Sequence, residues 1–243
     1  MFYTERKSES IYDDFFNKCY ICECELEKDV DLEHRIPRAA NKGDKKLLEK
    51  WNLFPACGYC NDRKGDGYFE VSSECKCGNG YLGIIDCTNC DPNKYIQLKI
   101  DNDENITITE KEHAPCVNYT ILLLTTVYCG KRKEKMKNWK LSQLRSNVIE
   151  QYYICIVRSK QLKDKIKLDA SKYDIDKLKD ELIKHISPES PFSAFKRSYI
   201  EEMYNAAENL AVKSVFEEIL NASRCICPET NSPDTHCSRK IAI

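Results

Sequence analysis

The stretch that decides the reading runs from residue 19 to residue 64. It holds Cys19-Tyr20-Ile21-Cys22, then Glu33-His34-Arg35-Ile36-Pro37, then Asn52-Leu53, then Cys57-Gly58-Tyr59-Cys60-Asn61-Asp62-Arg63-Lys64. Two Cys-x2-Cys pairs present four thiolates from two tight turns, and four thiolates suffice to close a tetrahedral zinc site. With all four positions taken by protein, such a zinc braces the chain and cannot activate water. Between the pairs lies a single histidine, His34, with polar side chains suited to acid–base and metal work.

Working outward, Val30 to His34 alternates apolar and polar residues and predicts a short strand. Asp44 to Trp51 is helical in composition, Asn52 to Pro55 reads as a loop, and a helical turn is expected from Asn61, ended by Gly65 and Gly67. Residues 95–110 alternate on both sides of Asp101-Asn102-Asp103-Glu104-Asn105, which predicts a hairpin. From about residue 116 the period becomes helical. Residues 174–187 and 193–222 read as two helices separated by a Pro-containing turn at 187–191. The apolar run 119–128 is too short to span a bilayer, which needs about 20 residues, and reads as a buried element.

The chain has 243 residues, 42% hydrophobic and 32% charged, with a formal net charge of −1. Bulk charge therefore names no partner, and any nucleic-acid surface must come from local segregation. Residues 131–167 supply it, with twelve basic against three acidic residues, a net +9. A solvated helical face gives the same pattern. Trp139, Tyr152 and Tyr153 within it are read as core, with base stacking the alternative. Fifteen cysteines would suit disulfides in a secreted chain, but residues 1–7 lead into no apolar signal core. Cysteines at Cys-x2-Cys spacing fit a reducing, cytoplasmic setting. Cys75, Cys77, Cys87 and Cys90 read as a second zinc site in a ribbon-like insertion, or as a thiol-rich loop. Cys225, Cys227, His236 and Cys237 lack regular ligand spacing.

Glu33-His34-x2-Pro37, Asn52-Leu53 and Cys57-x2-Cys60-Asn61-x2-Lys64 together resemble the HNH endonuclease family over about residues 15–68. The resemblance implies a zinc-braced ββα-metal core. It makes His34 the general base, and Glu33 and Asn61 ligands of a catalytic Mg²⁺ or Mn²⁺. Asn52 becomes the loop-shaping support of the histidine, and Lys64 a contact close to the scissile phosphate. Asn61 stands where the name-giving last His occurs. A neutral imidazole, with pKa near 6.5, can take a proton from water, and carboxylate and amide oxygens suit a hard cation.

Beyond the core, the hairpin, the basic helical region and Pro191–Tyr199 resemble, more loosely, the HNH component of Septu-type and retron-associated bacterial antiphage defence. That similarity implies an SMC/ABC-like ATPase partner, docked on the C-terminal helices. The expected architecture is α+β: an HNH core (1–70), a Cys-rich insertion and hairpin (71–115) and a larger helical region (116–243). The expected activity is phosphodiester hydrolysis, on DNA rather than RNA. A zinc-braced nucleic-acid-binding or adaptor module without catalysis is the alternative.

Overall fold

The computed structural model describes residues 11–26, 31–40, 43–71, 81–88, 90–130 and 139–223. Strand β1 (Asp31–His34) pairs antiparallel with β2 (Leu53–Ala56), Asp31 opposite Ala56 and His34 opposite Leu53. β1 arises where alternation predicted it. β2 replaces the loop expected at Asn52–Pro55. All four of its residues are buried, so their apolar side chains gain more from pairing than from exposure. Pro55, which has no N–H for the ladder, turns its carbonyl to Tyr20 N at 3.0 Å. The helix expected across Asp44–Trp51 is instead two 3-10 turns, Lys45–Leu48 and Lys50–Asn52, with Glu49 extended between them (ψ 160°).

Helix α1 (Gly58–Lys64) follows directly, capped by Cys57, whose Sγ accepts from Cys60 N at 3.4 Å. It stops at Gly65, whose φ of +48° lies in the region that favours glycine. β3 (Phe69–Val71) and β4 (Tyr81–Gly83) form a second two-stranded antiparallel pair. Gly83 is demanded by close approach, since a Cβ there would lie 2.6 Å from Ile36 Cδ1. After the short helix α2 (Pro92–Tyr95), the expected hairpin is present as β5 (Ile96–Ile100) and β6 (Ile106–Glu110). Ile96, Leu98 and Ile100 face inward, and Asp101 closes the turn by accepting from Asp103 N and Asn105 N.

The apolar run is the buried helix α3 (Val117–Cys129). Helix α4 (Trp139–Lys167) buries Leu141, Leu144, Val148, Tyr152, Cys155, Ser159 and Leu162, a three-and-four spacing that keeps one face inward over 29 residues. α5 (Lys172–Ile186) was expected. The single helix expected over 193–222 is two, α6 (Ser193–Asn205) and α7 (Leu210–Ala222). Asn209 causes the break by capping α7, its Oδ1 accepting from Val212 N at 3.1 Å. Among the described residues no helix is long and apolar enough to cross a membrane.

Two cores result. One joins the cysteine turns, the β5–β6 hairpin, α3 and the first half of α4, and includes Phe195 of α6. It crosses both of the expected domain boundaries at 70 and 115. The other lies between α4, α5, α6 and α7. The segment Pro191–Tyr199 opens α6 and locks onto the first cysteine turn. Glu23 accepts from Ser193 Oγ (2.9 Å) and Ala194 N (3.0 Å), while Lys18 Nζ donates to Ser190 O (2.9 Å). Lys196, fully buried in the same junction, donates to Ser190 Oγ at 2.6 Å.

Burial pushes the Lys196 pKa down from 10.5 to about 8. Between those values the unfolded chain holds more protons than the folded one, so this group makes stability rise with pH across that window. The difference in unfolding free energy between wild type and Lys196→Met should therefore move in favour of wild type by on the order of 3 kcal/mol from pH 8 to 10.5. Parallel pH profiles of urea unfolding for the two proteins would refute this.

Candidate functional site

Two centres meet at the junction of the β1–β2 hairpin and α1. The first is the thiol cluster. Cys19 and Cys22 lie on a turn closed by the Lys18–Glu25 bridge, with Cys19 N on Cys24 O (2.9 Å) and Glu23 N on Cys19 O (2.8 Å). Cys57 caps α1 and Cys60 lies in its first turn. The four Sγ atoms are all within 4.8 Å of one another, and Cys22 Sγ is 3.9 Å from Cys57 Sγ. Zinc–sulfur bonds of about 2.3 Å in a tetrahedron place sulfurs about 3.8 Å apart. The four residues therefore fit a structural metal such as zinc, as expected of them. Cys24, which sequence spacing gave no reason to single out, lies against Cys19, Cys22 and Cys57 as a fifth thiol. Cys87 is buried and Cys90 is half-buried on a turn set by Cys90 N on Asp86 O (2.9 Å). Cys75 and Cys77, and the Cys225–Cys237 tail, lie outside the described residues, as do the basic residues 131–137.

The second centre is a polar cleft of ≈ 430 Å³, lined among others by Glu33, His34, Arg38, Asn61, Lys64 and Asp66. β1 ends at His34, so its half-buried imidazole reaches the cleft from the last strand position. Partial burial, and then the positive charges of Arg38 and Lys64, pull its pKa below the usual histidine value. The imidazole is therefore neutral near pH 7 and able to accept a proton. Asn61 brings its amide in from α1, half-buried.

Glu33 and Lys64, expected as metal ligand and phosphate contact, are joined to each other. Lys64 Nζ donates to Glu33 Oε2 at 2.9 Å and to His34 O at 2.8 Å, and Lys64 is only 3% exposed. The Tyr20 hydroxyl donates to Glu33 Oε1. Burial raises the Glu33 carboxyl pKa, against the opposing pull of Lys64 and Tyr20. Each carboxylate oxygen keeps a further lone pair. The half-buried Asn61 amide and the exposed Asp66 carboxylate line the same cleft and add hard oxygen donors to its wall.

Asn52 does not line the cleft. Fully buried, it donates to Ile36 O (2.8 Å) and Leu47 O (2.9 Å) and accepts from Ile36 N (2.8 Å). It shapes the loop that carries Pro37 and Arg38. Arg35 is completely buried, its Nη1 donating to Ile84 O at 2.7 Å. Trp139, read as core, is 68% exposed, and Tyr153 is exposed as well, whereas Tyr152 is buried as expected. Neither Tyr20 nor Asp66 carries a signal in the sequence, because their places beside the cleft depend on how the elements come together.

Comparison with family models, with curated proteins and with solved structures found no match to this chain.

Two outcomes test the construction. Metal analysis should find one equivalent of zinc less in Cys57→Ser than in wild type, with a lower Tm, because binding free energy here is folding free energy. Equal metal content and equal Tm would remove the cluster's structural role. Asn52→Ala leaves three buried backbone groups unpaired and should cost at least about 3 kcal/mol in urea unfolding. A loss below about 1 kcal/mol would show that the loop is held by other means.

Proposed function

We propose that this chain is a metal-dependent endonuclease of the HNH kind, hydrolysing phosphodiester bonds, with DNA the favoured substrate and RNA the alternative. The observation that carries the reading is that the half-buried His34 imidazole and the Asn61 amide line one polar cleft, at a strand–strand–helix junction beside four clustered thiols. The order of β1, β2 and α1 along the chain supports this reading.

His34 takes a proton from a water, whose oxygen forms the new bond to phosphorus. The P–O3′ bond breaks, and O3′ leaves as an alkoxide that takes its proton from bulk water, while His34 returns its own to solvent. A divalent cation held by Asn61, Asp66 and the free lone pairs of Glu33 would neutralise the phosphate and the departing oxygen. Lys64 anchors the His34 carbonyl and so fixes the backbone from which the imidazole projects. Glu33 and Tyr20 hold Lys64 in turn.

In the fuller reading the chain is the nuclease effector of a bacterial antiphage system with an SMC/ABC-like ATPase partner. The support for that is the resemblance of the hairpin, the basic region and Pro191–Tyr199. The last of these is mostly internal, with Phe192 to Ser198 buried, so a partner would meet the outer faces of α5 and α7. One observation favours the non-catalytic alternative, a nucleic-acid-binding or adaptor module. It is the mutual pairing of Glu33 and Lys64, which takes two charged groups out of direct contact with substrate.

Plasmid nicking and total-RNA cleavage in Mg²⁺ should fall about 10²- to 10⁴-fold in His34→Ala, the usual size of a general-base contribution, and vanish in EDTA. Wild type and His34→Ala that behave alike in both conditions would leave the adaptor reading standing.

A further inference from the structure

A phosphodiester in the His34 cleft needs a cation that touches it, and Lys64 is committed elsewhere. Two of its three donors are used, on Glu33 and the His34 carbonyl, and the side chain is buried. Arg35 is sealed behind the strand on Ile84 O. Arg63 lies 5.1 Å over the Tyr59 ring and does not line the cleft. Arg38 remains. It is exposed, lines the His34 cleft, and among the described residues its side chain makes no ion pair or hydrogen bond.

Its position is built, not incidental. Arg38 opens the 3-10 turn Arg38–Ala40, closed by Ala40 N on Pro37 O at 2.9 Å. That turn follows Ile36, which Asn52 grips through both backbone groups. Arg38 and Ala39 also line a second cleft of ≈ 450 Å³ with Gly43, Asp44, Lys45, Leu47 and Leu48. The two clefts have Arg38 and Ala39 in common in their walls. In the second cleft the Asp44 carboxylate accepts from the Tyr81 hydroxyl (2.7 Å) and Lys46 N (2.9 Å) and makes no ion pair with Arg38 among the described residues.

We infer that Arg38 is the phosphate clamp of this site, holding the backbone phosphate next to His34, and that the same strand runs on over Ala39 towards Lys45. The inference rests on the endonuclease reading and adds the substrate contact that reading lacks. A guanidinium fork matches two phosphate oxygens at once, which a lysine cannot do. The ligand class is the backbone of a nucleic-acid strand, held through its phosphates, so the contact carries no base preference.

The test measures binding without cleavage, using His34→Ala protein in EDTA with fluorescein-labelled single-stranded and duplex oligodeoxynucleotides of mixed sequence. Adding Arg38→Ala should weaken binding about tenfold or more at low salt, the size of one charge-assisted contact. It should also reduce the slope of log K against log salt by about 0.7 to 0.9, one phosphate's share. Arg38→Lys should restore the slope but only part of the affinity. Arg63→Ala, which removes the same charge outside the two clefts, should leave both unchanged. Arg38 is exposed, so its variants should melt with the parent, and coincident melts confirm that the loss is local. Binding that survives Arg38→Ala, or falls equally in Arg63→Ala, overturns the clamp alone. An absence of binding by the His34→Ala parent overturns the clamp, while the Mg²⁺ cleavage comparison of wild type with His34→Ala decides the endonuclease reading separately.

Discussion

Four sulfur atoms drawn within 4.8 Å of one another are the constraint on which the rest of this structure depends. Thiolates that close repel unless a cation sits among them, and a cation bound there would supply folding energy that the short elements around them lack. The turn of Cys19 and Cys22 has little secondary structure of its own. The four-residue strands β1 and β2 would be marginal as an isolated pair. The cluster ties that turn to the start of α1, and Tyr20 N on Pro55 O extends the tie to β2. From there the geometry passes to the cleft through one buried chain: the Tyr20 hydroxyl on Glu33, Glu33 on Lys64, and Lys64 on the carbonyl of His34.

That chain separates two functions that a reading by residue type would merge. A carboxylate and an ammonium beside a histidine in a polar cleft look, by residue type alone, like a metal ligand and a phosphate contact. Their burial makes them first a structural pair, since a buried charge is tolerated only when paired and hydrogen-bonded. Groups left facing solvent, Asn61, Asp66 and Arg38, are the ones free to meet a cation or a phosphate. Burial thus redistributes roles among charged residues of one small motif.

The helical region is not an appendage. Glu23, in the first cysteine turn, caps the start of α6, and Lys18 and Lys196 close the same buried junction. Phe195 packs edge-on against Tyr128, their ring centroids 5.0 Å apart. The cysteine unit and the C-terminal helices therefore share a core, and a partner that shifted α6 would act directly on the turn that holds Cys19 and Cys22. The outer face of α4 stays charged, with Trp139 exposed at its first turn.

Spacing and periodicity were enough for the thiol cluster, for β1, for the β5–β6 hairpin and for the inward face of α4. These are local patterns: two residues between paired cysteines, alternation along a strand, and a three-and-four repeat along a helix. The same local information misread Asn52–Pro55 as a loop, joined α6 to α7, and left Tyr20 and Asp66 unnoticed. Whether Leu53–Ala56 pairs depends on β1 arriving beside it, and whether a long helix breaks depends on a cap winning against continuation. The use to which Glu33, Lys64 and Arg38 are put was likewise settled only in three dimensions, because the sequence states a side chain's charge but not the solvent or partner it will face. Composition determined which chemistry was on hand; tertiary packing, by burying some charges and exposing others, decided where that chemistry is directed.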